Sequence, residues 1–156
     1  VNVTLTKGNY EKLPELAQLT WDLGVKWLNV QFLTPFGRAT KWVAPDARDA
    51  ARVTAAVIDA WHDRMKIQVI NLPVCLMPGK ERFVAPDMGK LGRRMIFVNN
   101  EDVNLGAYLA ERRVHTAECE PCPHRLACGG FYELEDVPEP AWIVKAEDLV
   151  RPRAPA

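Results

Sequence analysis

Three of the four cysteines lie within ten residues, at a spacing typical of residues that bind one metal centre. Cys119, Cys122 and Cys128 form the pattern C-x2-C-x5-C on a segment rich in proline and glycine. The x2 spacing allows two sulfurs to bind one metal ion or one cluster without strain. The alternatives are three unrelated buried cysteines, or a redox C-x-x-C pair with a spare thiol. A metal centre explains the clustering better, because cysteine otherwise behaves as a small hydrophobic residue.

A four-ligand centre needs one more ligand, and Cys75 is the remaining cysteine. It follows a predicted strand and lies between Pro73 and Pro78, so we expect a buried thiol in a fixed position. His115 and His124 are the competing ligands. We predict Cys75 instead, because nitrogen ligands are less common in iron–sulfur centres. His124 lies inside the loop between Cys122 and Cys128, so we also expect its ring to point away from the centre.

The kind of centre stays open between zinc and iron–sulfur. Zinc would take four cysteines, or three cysteines and one histidine, whereas an iron–sulfur cluster would take the four thiolates. Zinc ribbons usually carry two paired knuckles, and here the second pair is missing because the other cysteine stands alone far upstream. This spacing favours a cluster. The predicted metal ligands are Cys75, Cys119, Cys122 and Cys128.

Composition excludes several classes of protein. The chain has 156 residues, with 20 Lys and Arg against 20 Asp and Glu, so it lacks the basic excess of a general nucleic-acid binder. No apolar run approaches a membrane span, and no signal peptide is visible. Cysteines without an export signal predict a reducing, cytoplasmic location. The chain begins at Val1 directly in a strand-like pattern, and we expect it to be a fragment of a longer protein.

Hydrophobic periodicity predicts an α/β fold. Alternating residues predict strands over 1–6, 27–33 and 67–72, and helical spacing predicts helices over 11–23 and 46–64. A strand–helix–strand succession of this length predicts parallel strands.

The remainder of the chain has weaker patterns. A charged stretch from Lys80 to Arg94 predicts a mobile linker. Residues 95–98 and 103–105 predict a small hairpin, and residues 107–114 a short helix that leads into the cysteine loop. Beyond Tyr132, the acidic and proline-rich sequence predicts a poorly ordered tail.

The first two predicted strands have one apolar face and one face of neutral polar residues. Asn2 and Thr4 share the polar face of the first strand, and Asn29 and Gln31 share that of the second. Buried parallel strands are usually apolar on both faces, so these side chains need other partners. A barrel whose lumen holds a polar ligand and a half-solvated sheet edge both fit the pattern.

Three successive segments together resemble a known family. The run from Val3 to Asn9, the helix that ends at Leu23-Gly24-Val25 and the run from Val30 to Ala39 look like the last two βα units of a radical S-adenosylmethionine enzyme. Barrels of this family commonly end in the order strand, T-K-x-N, helix, G-V, strand, P-x-G-x-A. The following C-x2-C-x5-C resembles the start of the auxiliary-cluster extension, of SPASM or twitch type. The resemblance covers about residues 1–132.

The resemblance implies a fold and a division of the chain. Residues 1–72 would be the C-terminal βα units of a partial (βα)6 radical SAM barrel. Residues 73–132 would form a small cysteine-rich subdomain that binds an auxiliary 4Fe-4S cluster, and residues 133–156 would be a disordered tail.

The resemblance also implies cofactors and contacts. S-adenosylmethionine would bind in the full-length protein, where its reductive cleavage gives a deoxyadenosyl radical that takes a hydrogen atom from a substrate, such as a peptide or a protein. The implied cofactor-binding residues are Thr4, Asn29 and Gln31 on the lumen wall and Thr34 and Pro35 at the end of the second strand.

Two departures from the family pattern shape these expectations. The C-x3-C-x2-C motif of the catalytic cluster and the Gly-Gly-Glu segment are absent, so the chain resembles the C-terminal half and would need an N-terminal barrel half as its partner. The fourth SPASM cysteine is replaced by Tyr132, and a single auxiliary cluster completed by Cys75 would repair this loss. A zinc-stabilised binding domain without catalysis, or an inert truncated product, are the rival hypotheses.

Overall fold

The computed structural model describes residues 1–34, 39–86, 94–96 and 102–133, with the backbone alone for 94–96, 102, 103 and 105. Its centre is a three-stranded sheet in the order β1 (Asn2–Thr4), β2 (Trp27–Gln31) and β3 (Lys66–Ile70). Both strand pairs are parallel, which confirms the prediction drawn from the strand–helix–strand pattern. The strands are shorter than their predicted ranges.

Two helices connect the three strands. Helix α1 (Leu13–Asp22) follows a 3-10 turn and has a proline in its first turn, where the missing N–H group costs no hydrogen bond. Helix α2 (Ala47–Trp61) begins at Asp46, whose carboxylate accepts hydrogen bonds from the N–H groups of Arg48 and Asp49. The predicted range 11–23 begins two residues before α1 and ends one residue after it, and the predicted range 46–64 begins one residue before α2 and ends three residues after it.

The hydrophobic core lies between the helices and one face of the sheet. The inward residues of the strands and helices lose contact with water almost completely, and burying each large aliphatic side chain stabilises the fold by about 1.5–3 kcal/mol. Thr20 and Thr54 are also buried, and each hydroxyl donates to the carbonyl oxygen four residues earlier, over 2.7 Å. The fully buried residues include Leu5, Leu13, Ala17, Leu28, Val30, Ala50, Ile58 and Val69.

The chain after β3 returns to the edge of the sheet. Residues Glu81–Phe83 form a 3-10 turn, and Val84 then makes a parallel bridge with Val69 of β3. The N–H of Ala85 donates to the carbonyl of Val69 over 2.7 Å. The prediction of a mobile linker from residue 80 to 94 is therefore wrong for its first part, because backbone pairing and the burial of Val84 fix it. Residues 87–93 lie outside the described part.

The C-terminal part consists of short elements. Strands β4 (Arg94–Ile96) and β5 (Asp102–Asn104) pair antiparallel, as the predicted hairpin requires. Helix α3 (Leu105–Ala110) ends four residues before the predicted position, because β6 (Arg113–Val114) pairs with β7 (Phe131–Tyr132) instead.

This β6–β7 ribbon holds both ends of the cysteine loop. The predicted tail contributes one described residue, Glu133, whose N–H donates to the carbonyl of Arg112 over 3.0 Å. Residues 134–156 lie outside the described part.

Candidate metal centre

The cysteine loop is a succession of tight turns. The N–H of Cys119 donates to the carbonyl of Thr116 over 3.0 Å, and the N–H of Cys122 donates to that of Cys119 over 3.2 Å. The N–H of Cys128 donates to the carbonyl of His124 over 2.8 Å. Turns of this kind satisfy the backbone locally and hold each thiol at a defined point without a hydrophobic core.

A glycine allows the loop to lie against the β6 strand. Gly130 has a φ of +80°, in the left-handed region that glycine adopts without penalty. A Cβ atom at this position would lie 2.5 Å from the carbonyl oxygen of Val114 and 3.1 Å from the ring of His115. The close approach at the end of the loop therefore requires glycine.

All four cysteines line one cavity. Cys75 follows β3 on a 3-10 turn, Val74–Leu76, and faces the loop that carries Cys119, Cys122 and Cys128. The structure thus brings together the four residues that the sequence predicts as metal ligands. The cavity is also lined by Pro73, His115, His124, Arg125, Gly130 and Phe131.

One expectation about this cavity is wrong, and a second is not decided by the lining residues. Cys75 is exposed rather than buried, because the 3-10 turn that carries it lies at the surface beyond the end of β3. His124 lines the cavity, as His115 does, so its backbone position inside the loop does not remove it from the site. A backbone turn joins His124 to Cys128, because the N–H of Cys128 donates to the carbonyl of His124.

The pKa of the Cys75 thiol reflects its neighbours. Partial desolvation raises this pKa first, and the neighbouring Cys128, Cys119 and Cys122 thiols raise it further. Each thiolate disfavours a second negative charge nearby. A cation bound among the four sulfurs would reverse this effect, because a metal ion deprotonates the thiols that coordinate it.

Two of the sulfurs each have one polar neighbour. The N–H of Gly130 donates to Cys128 Sγ over 3.4 Å, and Thr116 Oγ1 lies 3.7 Å from Cys119 Sγ. The ring of His115 approaches the carbonyl oxygen of Cys128, with a distance of 3.4 Å from Nε2. Bonds of this kind orient metal-binding residues and tune the properties of the metal they hold.

The thiols share a cavity, but their arrangement differs from that of a preformed single-ion site. Among the described residues, no group of three or more His, Cys, Asp or Glu side chains has a geometry that could hold a metal ion. A tetrahedral zinc ion with Zn–S bonds of about 2.3 Å would draw its sulfurs to within about 4 Å of one another. A four-iron cluster binds each sulfur at a different iron and therefore accepts a wider arrangement.

Tyr132, four residues after Cys128, lies in another environment. Its hydroxyl accepts a hydrogen bond from Arg113 and lies 3.5 Å from Asn71 Oδ1, and its ring stacks beneath the Arg113 guanidinium. The described residues that line the cysteine cavity do not include Tyr132.

The polar face of the sheet carries two rows of mostly polar side chains, next to the pair Trp27 and Lys66, in which Lys66 Nζ lies 3.7 Å from the centre of the Trp27 ring. Asn2, Asn29 and Gln68 are register partners across the three strands and form the first row. Within it, Asn29 Nδ2 donates to Asn2 Oδ1 over 2.7 Å. Asn29 Oδ1 is buried and has no hydrogen-bond partner among the described residues. Sequence reasoning missed Gln68, although the alternation of β3 placed it opposite the buried Ile67 and Val69.

The second row contains two of the predicted cofactor-binding residues. Thr4 pairs in register with Gln31, and Gln31 pairs with Ile70. Thr4, Asn29 and Gln31 therefore share one face, as predicted. Thr34 is half-buried beyond the end of β2, and the predicted contact Pro35 lies outside the described part.

A larger groove adjoins the cysteine cavity. It has a volume of about 850 Å³ and shares Cys75 and Phe131 with the cavity. One wall comes from α2, where Arg48 and Arg52 are exposed, and the other from the segment that follows Cys75. Lys80 of that segment forms an ion pair with Asp59 of α2 across the groove.

Comparisons with protein-family models, with curated protein sequences and with solved structures gave no match. Within the described residues, the helices are all too short or too polar to cross a membrane.

Proposed function

We propose that this chain is the C-terminal part of a radical S-adenosylmethionine enzyme and binds an auxiliary 4Fe-4S cluster through Cys75, Cys119, Cys122 and Cys128. The observation that carries the proposal is the shared cavity, in which a cysteine from the end of β3 meets three from a distant loop. Four thiolates form the usual ligand set of such a cluster. When bound, the cluster supplies electron transfer, substrate binding or a structural brace.

The parallel sheet supports the barrel part of the proposal. Helices cover one face, whereas the other carries amide and hydroxyl side chains between the Trp27–Lys66 pair and Ile70, with one buried oxygen that lacks a partner among the described residues. Parallel sheets are normally covered on both faces. Amides can donate and accept hydrogen bonds, so this face suits the wall of a lumen that holds a polar ligand. An N-terminal barrel half would supply the remaining strands and the cluster that cleaves S-adenosylmethionine.

Zinc is the second candidate occupant, favoured by the two histidines in the same cavity. His115 and His124 both line it, so three cysteines and one histidine could form a structural zinc site. The protein would then be a zinc-stabilised binding domain without catalysis.

Metal analysis of anaerobically purified protein separates the two. We expect brown protein with about four iron and four sulfide per chain, in accord with the four thiolate ligands. Colourless protein with one equivalent of zinc would instead support the binding domain. Protein that retains neither metal after anaerobic reconstitution would contradict both.

Matched variants test the ligand set. We expect Cys75→Ala to lower iron retention far more than His115→Ala, because the former removes a thiolate ligand and the latter a neighbour of the loop backbone. Cys122→Ala serves as the positive control. Equal retention in Cys75→Ala and the unmodified protein would exclude Cys75 as a ligand.

The barrel part has its own test. Reconstituted with iron and sulfide and reduced with dithionite, this chain should release no 5′-deoxyadenosine from S-adenosylmethionine, since it lacks the C-x3-C-x2-C motif. Steady release would show that the catalytic cluster lies elsewhere than proposed. A C-x3-C-x2-C motif encoded upstream of Val1 would support the assignment directly.

A further inference from the structure

Tyr132 lies between the cysteine loop and the end of the central sheet. Its hydroxyl accepts a hydrogen bond from Arg113 Nη2 and reaches Asn71 Oδ1 over 3.5 Å. Asn71 directly follows β3 and precedes Cys75 by four residues, whereas Tyr132 follows Cys128 by four residues. The contact therefore joins the two segments that carry the four thiols.

Arg113 fixes the tyrosine from the side of the loop. A Cβ atom at Gly129 would lie 2.4 Å from Arg113 Nη1, so the guanidinium packs directly against the loop backbone next to Cys128. Its carbon Cζ lies 4.8 Å from the centre of the Tyr132 ring, within the range of a cation–π contact. The guanidinium thus holds both the loop and the tyrosine.

Asn71 fixes the tyrosine from the side of the sheet. Its φ is +62°, and among the described residues other than glycine it alone adopts positive φ. Asparagine tolerates this left-handed conformation better than most residues. The turn at Asn71 redirects the chain from β3 towards Cys75, and Asn71 and Pro73 line a further cavity together with Phe131 and Tyr132.

The geometry points to Tyr132 as a positioning residue that holds the Cys75 segment against the loop, through Asn71 on one side and Arg113 on the other. The identity of the bound group rests on the proposed function. The position of the Cys75 thiol next to the three loop thiols is a property of the metal-free chain. The residue occupies the position of the fourth SPASM cysteine. In this chain the fourth thiol comes from Cys75, and Tyr132 keeps that thiol in place.

Disulfide trapping in metal-free protein tests this role. Diamide takes two electrons and two protons from each thiol pair, and mass spectrometry of the non-reduced peptides gives the ratio of Cys75–loop disulfides to disulfides within the loop. We expect Tyr132→Phe to lower this ratio several-fold. Asn71→Gly should lower it similarly, because glycine keeps the positive φ but removes the acceptor.

Two control variants make the test specific. Asn71→Asp keeps an acceptor and tolerates the left-handed conformation, so its ratio should stay near that of the unmodified protein. Tyr10→Phe is the same substitution at a distant site, where the hydroxyl bonds to Glu11, and it should have no effect.

Two results would overturn the role of Tyr132. One is an unchanged ratio in both Tyr132→Phe and Asn71→Gly. The other is an equal loss of both kinds of disulfide, which would indicate general loosening of the structure. A fall in the ratio in a protein that binds no iron would retain the positioning role and remove the proposed cluster. If the ratio is unchanged and the protein binds iron when it is reconstituted, the positioning role of Tyr132 falls and the proposed cluster stands.

Discussion

The sheet with its two helices and the cysteine region are held together by different means. Between β1 and β3, strands and helices bury a continuous set of aliphatic side chains, many of them completely. Within the cysteine region from Arg113 to Tyr132, Gly130 is the one buried residue, and tight turns and a two-residue ribbon define the chain. The comparison teaches that hydrophobic burial holds the first region together. The second region has little burial, and under the proposed function the group bound by its thiols would hold it.

Among the tests of the difference between the two regions, metal removal should have the largest effect. Anaerobic chelation of the loaded protein should abolish the hydrogen-exchange protection of the β6–β7 ribbon and the loop, because a metal bound by several segments contributes folding free energy directly. The amides of β1, β2 and β3 should keep their protection. Equal loss in both regions would show that they unfold as one unit.

Truncation of a core side chain should instead destabilise the first region, the sheet with its two helices. Leu28 is completely buried, and Leu28→Ala should lower the free energy of unfolding by about 2–5 kcal/mol, because a cavity remains. Leu23 is 69% exposed, and Leu23→Ala is the matched control with an expected change within about 0.5 kcal/mol. Denaturant unfolding followed by far-UV circular dichroism measures both. A small effect of Leu28→Ala would contradict the core described above.

Replacement of a loop glycine should act on the second region. Gly130→Ala adds a strained left-handed residue, at a cost of about 1–3 kcal/mol, and its Cβ would lie 2.5 Å from the Val114 carbonyl. Gly24→Ala at a φ of +75° has the same strain but no atom within 4 Å of the new Cβ.

Metal retention and thermal stability separate these two glycine variants. Gly130→Ala should lose metal, whereas Gly24→Ala should retain it with only a modest fall in stability. Comparable retention in the two variants would refute the close approach at Gly130.

The smallest expected effect concerns the pH dependence of one thiol. Desolvation and the three neighbouring thiols raise the pKa of Cys75, which favours its protonated form. In metal-free protein, the rate of Cys75 alkylation should therefore reach half its maximum at a higher pH than in the urea-unfolded chain. Peptide mass spectrometry after timed iodoacetamide treatment gives both profiles. A profile shifted to lower pH would show that a cation, rather than other thiols, dominates the surroundings of Cys75.

The sequence by itself determined the elements of the first region. The alternation in β1 and β2 and the helical spacing before Asp22 reflect burial on one face. Burial of one face places apolar residues at regular intervals, and such intervals can be read from the sequence. The start of α2 at Asp46 also followed from a local rule, because its carboxylate caps the helix. The clustering of Cys119, Cys122 and Cys128 is also visible along the chain, and Cys75 was added as the remaining cysteine.

Tertiary structure decided how the cysteine region is built. The pairing of β6 with β7 ends α3 at Ala110, before the strand that begins at Arg113. Backbone pairing with β3 orders a charged segment that sequence alone suggested was mobile. Contacts between distant residues also decided that Cys75 is exposed, that His124 lines the cavity, and that Tyr132 bonds to Asn71 and Arg113. Such contacts depend on where two separated segments meet, and a one-dimensional pattern carries no information about that meeting.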